Sequence, residues 1–202
     1  MAALVGAALG AWWFFAGLAV VLAAGAYLVS DRIALALTRA RPAGPEGANA
    51  RLHNVVEGLC VAAGLPKPDL YVVDDRTLNA FSVGRNPGHA SLVVTSGLLD
   101  KLDRVELEGV VAHELAHIRN HDTLLTTTAV GLPLLRLVLP GRRESLADVT
   151  GVRFTRYPPG LIAALEKLRG EKAPGRSWAT AHLWIDAPDP PLDQRLAELR
   201  DL

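Results

Sequence analysis

The sequence contains only one cysteine, Cys60, so no disulfide bond can form within the chain. Cys60 lies in an apolar, helix-like stretch at residues 54–63, which favours a small buried core residue over a reactive thiol. The chain also lacks an excess of either charge, because 21 Lys and Arg residues offset 21 Asp and Glu residues. Without a basic stripe there is no reason to expect binding to nucleic acid. The absence of internal repeats excludes a repeat array.

Charge is missing altogether from the start of the chain, where no Asp, Glu, Lys or Arg precedes Asp31. A helix of about 20 apolar residues crosses the hydrocarbon core of a bilayer, and residues 11–29 would suffice. Aromatic residues lie at both ends of this stretch, at 12–15 and at Tyr27, as in the aromatic belts of membrane helices. A secretory signal peptide would instead need a basic start and a shorter apolar core. We therefore expect residues 1–30 to form one transmembrane anchor.

Basic residues follow the apolar stretch and none precedes it. Arg32, Arg39 and Arg41 come directly after the expected anchor. The positive-inside rule then predicts a single-pass protein of the cell membrane, with its N-terminus outside and the rest in the cytoplasm. Residues 31–50, whose second half is rich in Pro, Gly and Ala, are expected to be a juxtamembrane segment and linker. Residues 51–202 should then form the folded domain.

The remainder of the chain predicts an α+β domain that is mainly helical. Short runs rich in β-branched and aromatic residues predict three strands in a small antiparallel sheet, at residues 69–74, 78–83 and 90–95. Periodicity and end signals predict helices, at residues 51–63, from Asp103 onward, and at 143–154, 158–169 and 191–199. Asp103 is a good N-cap residue, with Glu106 as its capping-box partner. Residues 178–185 fit either a strand or an extended loop.

The strongest chemical signal is the H-E-x-x-H motif at residues 113–117. On a helix, His113 and His117 share one face a turn apart, so both imidazoles can reach one zinc ion. Glu114, beside the first histidine, can take a proton from the water at such a centre. The motif therefore predicts zinc-dependent hydrolysis, whereas each histidine alone would be a surface or hydrogen-bonded residue.

A catalytic zinc usually has three protein ligands and leaves a fourth position for water, so a third ligand must come from elsewhere. Asp122 lies more than one turn beyond His117 and is expected to face another way. Glu144 begins a predicted helix, and Asp148 lies one turn further on the same face, which fits a ligand beside a carboxylate that orients a ligand histidine. Ligand geometry thus favours Glu144. The other downstream acids remain alternatives: Asp122, Asp148, Glu166, Glu171, Asp186, Asp189, Asp193, Glu198 and Asp201.

Several short motifs accompany the two histidines: Asn79-Ala80-Phe81-Ser82, Gly84-Arg85-Asn86-Pro87, Thr95-Ser96-Gly97-Leu98-Leu99, and Arg143-Glu144 with Ala147-Asp148. With these motifs, most of residues 30–155 resembles the HtpX family of membrane zinc metallopeptidases, which is related to the CAAX prenyl endopeptidases and belongs to the gluzincins. The resemblance implies a zincin-like metallopeptidase domain at residues 51–202, preceded by one transmembrane helix. It also implies one zinc ion per chain, Glu144 as the third ligand and Asp148 as its nearby acid.

The resemblance further implies that Asn79, Ala80 and Phe81 lie along the substrate cleft. An extended substrate would pair there with an exposed strand edge, and Asn79 could donate a hydrogen bond to the developing oxyanion. The residues alone fit equally well an ordinary turn followed by a core phenylalanine.

The chain departs from the family pattern at two places. Family members usually carry a membrane hairpin between the H-E-x-x-H helix and the third ligand, whereas residues 123–139 are apolar but too short for a span, and predict a helical segment at the membrane surface. The family's His-Pro-Pro before an Arg-containing helix is here Asp189-Pro190-Pro191. His182, the remaining histidine nearby, could substitute for that histidine as a transition-state stabiliser, with a structural residue as the alternative.

These features predict a membrane-anchored, zinc-dependent endopeptidase that cleaves peptide or membrane-protein substrates at the bilayer. The resemblance implies a role in quality control of membrane proteins under stress. An alternative is an inactive, zinc-stabilised membrane adaptor, which the shortened middle segment favours and the intact Glu114 and Glu144 oppose. A secreted zinc hydrolase is a third possibility, which an intact N-terminus in the membrane fraction would exclude.

Overall fold

The structure is a computed structural model that describes residues 2–131, 142–169, 183–185 and 190–202, without the side chains of residues 2–11, 26 and 131. Its helices are α1 Ala2–Thr38, α2 Ala50–Ala63, α3 Ser96–Lys101, α4 Arg104–Arg119, α5 Asp122–Gly131, α6 Arg143–Thr155, α7 Pro158–Arg169 and α8 Leu192–Arg200. Its strands are β1 Arg41–Pro42, β2 Asp69–Val73, β3 Ala80–Asn86 and β4 His89–Thr95. Three predictions lie outside the described residues: His182, residues 178–182 of the strand or loop, and residues 132–139 of the middle segment.

Helix α1 contains the apolar N-terminal stretch. The four aromatic residues at 12–15 expose between 63% and 78% of their surface. Among the described residues no single helix combines the length and apolarity of a membrane span, although the segments Trp12–Gly25 and Tyr27–Thr38, which meet at 47°, reach them together. The prediction of one unbroken span is therefore not confirmed. The C-terminal part of α1 packs against α5 and β3.

The sheet has four strands in the order β1-β2-β4-β3, and it is mixed, so the prediction of an antiparallel sheet is wrong. Strands β3 and β4 form the expected antiparallel hairpin, but β2 and β4 are parallel, with both Leu70 and Ser82 opposite Leu92. Residues 74–79 carry the chain past the position of β4 before β3 begins. Strand β4 therefore returns between its two neighbours and runs in the direction of β2. Strand β1, from the predicted linker, adds an antiparallel edge to β2.

Helix α4 carries the H-E-x-x-H motif through the middle of the core. The predicted capping box is confirmed, because Asp103 accepts a hydrogen bond from the Glu106 backbone and Glu106 accepts one from the Asp103 backbone. Leu107, Val110 and Leu115 of this helix are completely buried. They pack in one core with residues of α2, α7, α8 and the sheet. A capped and buried helix gives the motif a rigid support.

Helix α6 lies directly against α4 at the level of His113. A Cβ atom built on Gly151 of α6 would lie 2.9 Å from the His113 backbone nitrogen and 3.0 Å from its Cα. Since real Cβ atoms essentially never come closer than 3.0 Å to such an atom, only glycine permits this approach of the two backbones. The approach brings Glu144 and Asp148, on the same face of α6, toward the motif helix.

We expect Gly151→Ala to destabilise the protein by about 1–3 kcal/mol, the usual cost of overpacking a core. Gly58→Ala is the matched control, because Gly58 also lies inside a helix but is exposed, and nothing lies within 4 Å of its added Cβ. There alanine should stabilise by about 0.5–1 kcal/mol, since glycine is a poor helix former. Unfolding of the two variants in detergent measures the difference. Equal stability of both variants would contradict the close helix contact.

Candidate metal centre

Helix α4 directs two imidazole rings at one point. The ring centroids of His113 and His117 lie 4.7 Å apart, and their Nε2 atoms lie 3.1 Å apart. His113 is completely buried, whereas 12% of the His117 side chain stays exposed. The geometry predicted from the i, i+4 spacing is therefore present.

Glu144 approaches the same point from the first turn of α6. Its Oε2 lies 3.4 Å from Nε2 of His113, and its Oε1 lies 3.5 Å from Nε2 of His117. One possible ligand atom from each of the three side chains lies within 4.8 Å of the other two. Two imidazoles and a carboxylate at this spacing are compatible with one metal ion.

A carboxylate oxygen lies close to the opposite nitrogen of each ring. Nδ1 of His113 lies 2.7 Å from Oδ1 of Asp148, and Nδ1 of His117 lies 3.0 Å from Oδ2 of Asp122. A carboxylate that accepts the Nδ1 proton leaves the Nε2 lone pair directed at the centre, as around metal-bound histidines. Oε2 of Glu144 is buried and accepts no hydrogen bond from any residue that the structure describes. This donor set fits a divalent metal such as zinc.

Asp122 lies beside His117, although its distance along the sequence predicted that it would face another way. Helix α4 ends at Arg119, and His121 adopts a left-handed backbone with φ of 62°. This turn redirects the chain, so that α5 begins at Asp122 and its carboxylate returns to the imidazole. The expectation was wrong because it extended the helical repeat past the point where the helix ends.

Asp148 is held in turn by a buried arginine to which the sequence analysis assigned no role. Arg195 of α8 donates from Nε to Oδ2 of Asp148 and from Nη2 to Oδ1, both at 2.7 Å. Burial alone would raise the pKa of Asp148, but the hydrogen bonds from Arg195 and the charge of His113 hold it below its ordinary value. Asp148 is therefore ionised and can accept the His113 proton.

Glu114 lies beside the same centre and is 1% exposed. Ser82 of β3 donates a hydrogen bond from Oγ to Oε2 of Glu114 at 2.8 Å. Burial raises the pKa of Glu114, although the charges of His113 and His117 and the Ser82 hydrogen bond partly offset it. A carboxylate with a raised pKa is a stronger proton acceptor near neutral pH. Sequence reasoning missed the contact with Ser82, whose only signal was its place in the motif at residues 79–82.

The carboxylates around the imidazoles favour their protonated form. Burial would lower the pKa of His117, but the negative charge of Glu144 and the hydrogen bond with Asp122 raise it to about 10. Burial would also lower the pKa of His113, yet Asp148 and Glu144 raise it. Burial would raise the pKa of Glu144, but the two imidazoles hold it well below its ordinary value. Protons and a metal ion therefore compete for the same centre.

We expect zinc binding to release at least one proton at pH 8. A histidine with the ordinary pKa of about 6.5 is already neutral there. His117, with a pKa of about 10, is protonated and must lose its proton to bind a metal. Zinc affinity should therefore rise with pH toward 10.

Calorimetry in buffers of different ionisation enthalpy counts the protons, and nitrogen-15 NMR of the metal-free protein identifies His117 as their source. If the His117 imidazole is already neutral when zinc binds at pH 8, its pairing with the Glu144 and Asp122 carboxylates would be contradicted.

The three residues predicted to line a substrate cleft lie at the start of β3. Phe81 is completely buried, and its ring meets that of Trp184 edge to face, with centroids 4.6 Å apart. The Asn79 carbonyl accepts the Thr95 N–H at 3.0 Å, and Asn79 Oδ1 accepts the Ala80 N–H at 3.0 Å. The Phe81 side chain is thus buried in a hydrophobic cluster. The roles of Asn79, Ala80 and Phe81 toward a substrate stay predictions.

The outer edge of β3 runs past the centre. Alternation of the hydrogen bonds to β4 turns the backbone groups of Ala80, Ser82 and Gly84 outward. The N–H of Ile185 donates to the Ala80 carbonyl at 3.0 Å, and the Gly84 N–H donates to Thr127 Oγ1 at 3.0 Å. Ser82, which contacts Glu114, lies between these two contacts.

A cavity of about 10 Å³ adjoins two of the three converging side chains, His117 and Glu144. Such a volume holds about one water molecule. The cavity is lined by Ser82, His117, Thr123, Thr126, Arg143, Glu144 and Leu183. Four elements of the domain and the segment at residues 183–185 thus enclose the centre.

Comparison with known proteins agrees with this geometry. A sequence model described as Peptidase family M48 matches residues 46–141. The Protease HtpX homolog of Thermoanaerobacter pseudethanolicus is 37% identical over 239 aligned residues, which cover 88% of this chain and 80% of the relative. The Protease HtpX homolog of Tropheryma whipplei is 35% identical over 234 aligned residues, which cover 87% of this chain and 80% of the relative. Both alignments are longer than the 202-residue chain, so they include positions at which this chain has no residue.

The crystal structure of S. mikatae Ste24p has a similar fold. The TM-score is 0.56 at 16% sequence identity, over 93% of this chain. The chain spans 57% of the length of that protein. At this identity the likeness concerns the fold alone.

Proposed function

This chain belongs to peptidase family M48, and we propose that it is a membrane-anchored, zinc-dependent endopeptidase. The family membership bears out the resemblance to HtpX peptidases that the motifs indicated. The observation that carries the proposal is the convergence of His113, His117 and Glu144 on one point, with the Glu114 carboxylate beside them. We assign the first three side chains as zinc ligands, one ion per chain.

The chemistry divides between the ion and the chain. When bound, zinc would act as a Lewis acid that polarises the peptide carbonyl and acidifies a water molecule. Asp148 and Asp122 would keep the Nδ1 protons on the two histidines, so that each ring presents Nε2 to the ion. Arg143, whose Nε lies 3.3 Å from Oε1 of Glu144, adds positive charge beside the third ligand.

Glu114 is the general base of the proposed reaction. It removes a proton from the attacking water and returns that proton to the leaving amine. Burial and the hydrogen bond from Ser82 support this role, because the first raises the affinity for a proton and the second fixes the carboxylate. We assign Asn79 as a donor to the developing oxyanion and His182 as a second stabiliser.

We propose that an extended substrate pairs with the outer edge of β3. The outward backbone groups of Ser82, beside Glu114, support this mode, since a peptide strand bound there would carry its scissile bond past the centre. Ile185 of the chain itself already uses the Ala80 carbonyl. A substrate must therefore pair at Ser82 or displace Ile185 from that carbonyl.

We further propose that α1 holds the centre at the cytoplasmic face of the membrane, where it cleaves damaged or misfolded membrane proteins. The exposed aromatic residues at 12–15 and the three arginines after the apolar stretch support this assignment. Helix α5 connects the two regions, because it packs against α1 while Thr123 and Thr126 line the cavity.

The test is cleavage of casein and of a membrane-protein substrate by the purified full chain. Zinc-loaded protein should cleave both, a chelator should abolish cleavage, and added zinc should restore it. Protein that binds zinc tightly but cleaves neither would instead support the inactive, zinc-stabilised adaptor.

A further inference from the structure

Helix α8 inserts a charged side chain into the interior of the domain. Arg195 is 1% exposed and is the largest of the fully buried side chains among the described residues. Leu196 and Leu199, also 1% exposed, anchor the same helix in the main core. Transfer of a guanidinium group out of water is very unfavourable unless its donors are paired, so the position requires a set of partners.

The partners of Arg195 lie on two sides. Nε and Nη2 bind both oxygens of Asp148 at 2.7 Å, which is the bidentate geometry that only a planar guanidinium provides. Nη1 donates to the Ile185 carbonyl at 2.7 Å and lies 3.6 Å from Oε2 of Glu144. One side chain thus contacts the carboxylate behind a histidine, approaches the third carboxylate and binds the segment at residues 183–185.

The Asp148 contact leads directly to the metal centre. Oδ1 of Asp148 accepts from Arg195 and lies 2.7 Å from Nδ1 of His113. The two hydrogen bonds from the guanidinium fix the plane of the carboxylate, and the carboxylate fixes the imidazole ring. A carboxylate with a single tether could rotate and carry the ring away from the other two ligands.

The Ile185 contact leads to the substrate edge. Ile185 accepts from Arg195 through its carbonyl and donates to the Ala80 carbonyl of β3 through its N–H. Beside it, Leu183 lines the cavity and Trp184 packs on Phe81. The position of this segment along β3 therefore depends on the same guanidinium.

We propose that Arg195 is a positioning residue, which orients His113 through Asp148 and anchors residues 183–185 beside the substrate edge. The inference rests on the proposed zinc site. Lysine cannot replace this arginine, because an ammonium group is a point charge without the planar fork.

The test compares Arg195→Lys with Arg200→Lys in the full chain. Arg200 lies on the same helix but is exposed and pairs with Glu166, so it controls for the loss of an α8 arginine. Arg195→Lys should weaken zinc binding by about 10–100-fold in chelator competition, the usual effect of losing a group that holds a metal ligand. It should also alter the visible spectrum of the cobalt(II)-loaded protein, and Arg200→Lys should change neither.

Combining Arg195→Lys with Asp148→Asn tests whether Arg195 acts on the metal centre through Asp148. If Arg195 acts through Asp148, the double variant should bind zinc no more weakly than the weaker single variant. Additive losses, or an Arg195→Lys variant with wild-type zinc affinity and cobalt spectrum, would overturn the inference.

Should Arg195→Lys fail to fold, hydrogen exchange in the wild type decides, since coupling between two sites is reciprocal. Zinc should then slow exchange at the Ile185 amide and along α8, and unchanged exchange would overturn the inference. A wild type that binds no zinc would reject the proposed function itself and this inference with it.

Discussion

Glu114→Gln should retain zinc and lose peptide hydrolysis, with kcat lower by about 10²–10⁴-fold, the usual contribution of a general base. Glutamine has the same shape as glutamate but cannot accept and return a proton at neutral pH. The hydrogen bond from Ser82 can persist, because the glutamine carbonyl oxygen is also an acceptor. His113, His117 and Glu144 are unchanged, so the metal centre should stay intact.

The control for this prediction is Glu108→Gln on the same helix. Glu108 pairs with Arg104 at the surface, and this exposed i, i+4 pair contributes little to stability. Its substitution should leave both kcat and zinc content unchanged. If the wild type and Glu114→Gln are equally inactive while both hold zinc, the adaptor alternative replaces the enzyme.

Glu144→Gln should reduce zinc affinity by more than about 100-fold, beyond the effect of losing a group that only orients a ligand. The substitution removes the negative charge that faces both imidazoles at 3.4 and 3.5 Å. The remaining two histidines give a catalytic zinc fewer than its usual three protein ligands. Activity should fall with the metal content and return in part when zinc is added in excess.

Glu166→Gln is the matched control for the third ligand, because Glu166 is an exposed helical glutamate paired with Arg200. Zinc affinity should be unchanged in that variant. Wild-type affinity in Glu144→Gln would show that another acid completes the site, and Asp122, beside His117, would be the first alternative.

The sequence predicted the parts of the centre that depend on one continuous element. The spacing of His113 and His117 determined their convergence, because a capped helix runs unbroken through both. Glu144 and Asp148 share a helix face for the same reason, while the choice of Glu144 among the downstream acids also drew on the family resemblance.

The contacts that the sequence did not predict depend on how two secondary-structure elements pack against each other. The return of Asp122 to His117 follows from a single left-handed residue, His121, at the end of α4. The contact between Arg195 and Asp148 joins residues 47 positions apart, through the packing of α8 on α6. No local pattern contains either contact, because each requires the position of a second element in space.

The sheet shows the same division between local and distant information. The strands at 69–74, 78–83 and 90–95 were predicted close to the observed β2, β3 and β4, because alternation and turn residues are local signals. The prediction that all of them pair antiparallel was wrong, because the direction of pairing depends on the path of residues 74–79. The two-residue strand β1 is too short to leave a pattern.

Zinc-edge X-ray absorption of the purified, zinc-loaded wild type reports directly on the atoms that hold the ion. We expect a shell of two imidazole nitrogens with oxygen ligands from a carboxylate and water, and the imidazole signal should halve in His117→Ala. The chain has one cysteine, and it is not among the proposed ligands, so a sulfur atom in the shell would contradict the assignment. A shell that contains sulfur, or one that lacks the two imidazoles, would show that zinc does not bind where His113, His117 and Glu144 converge.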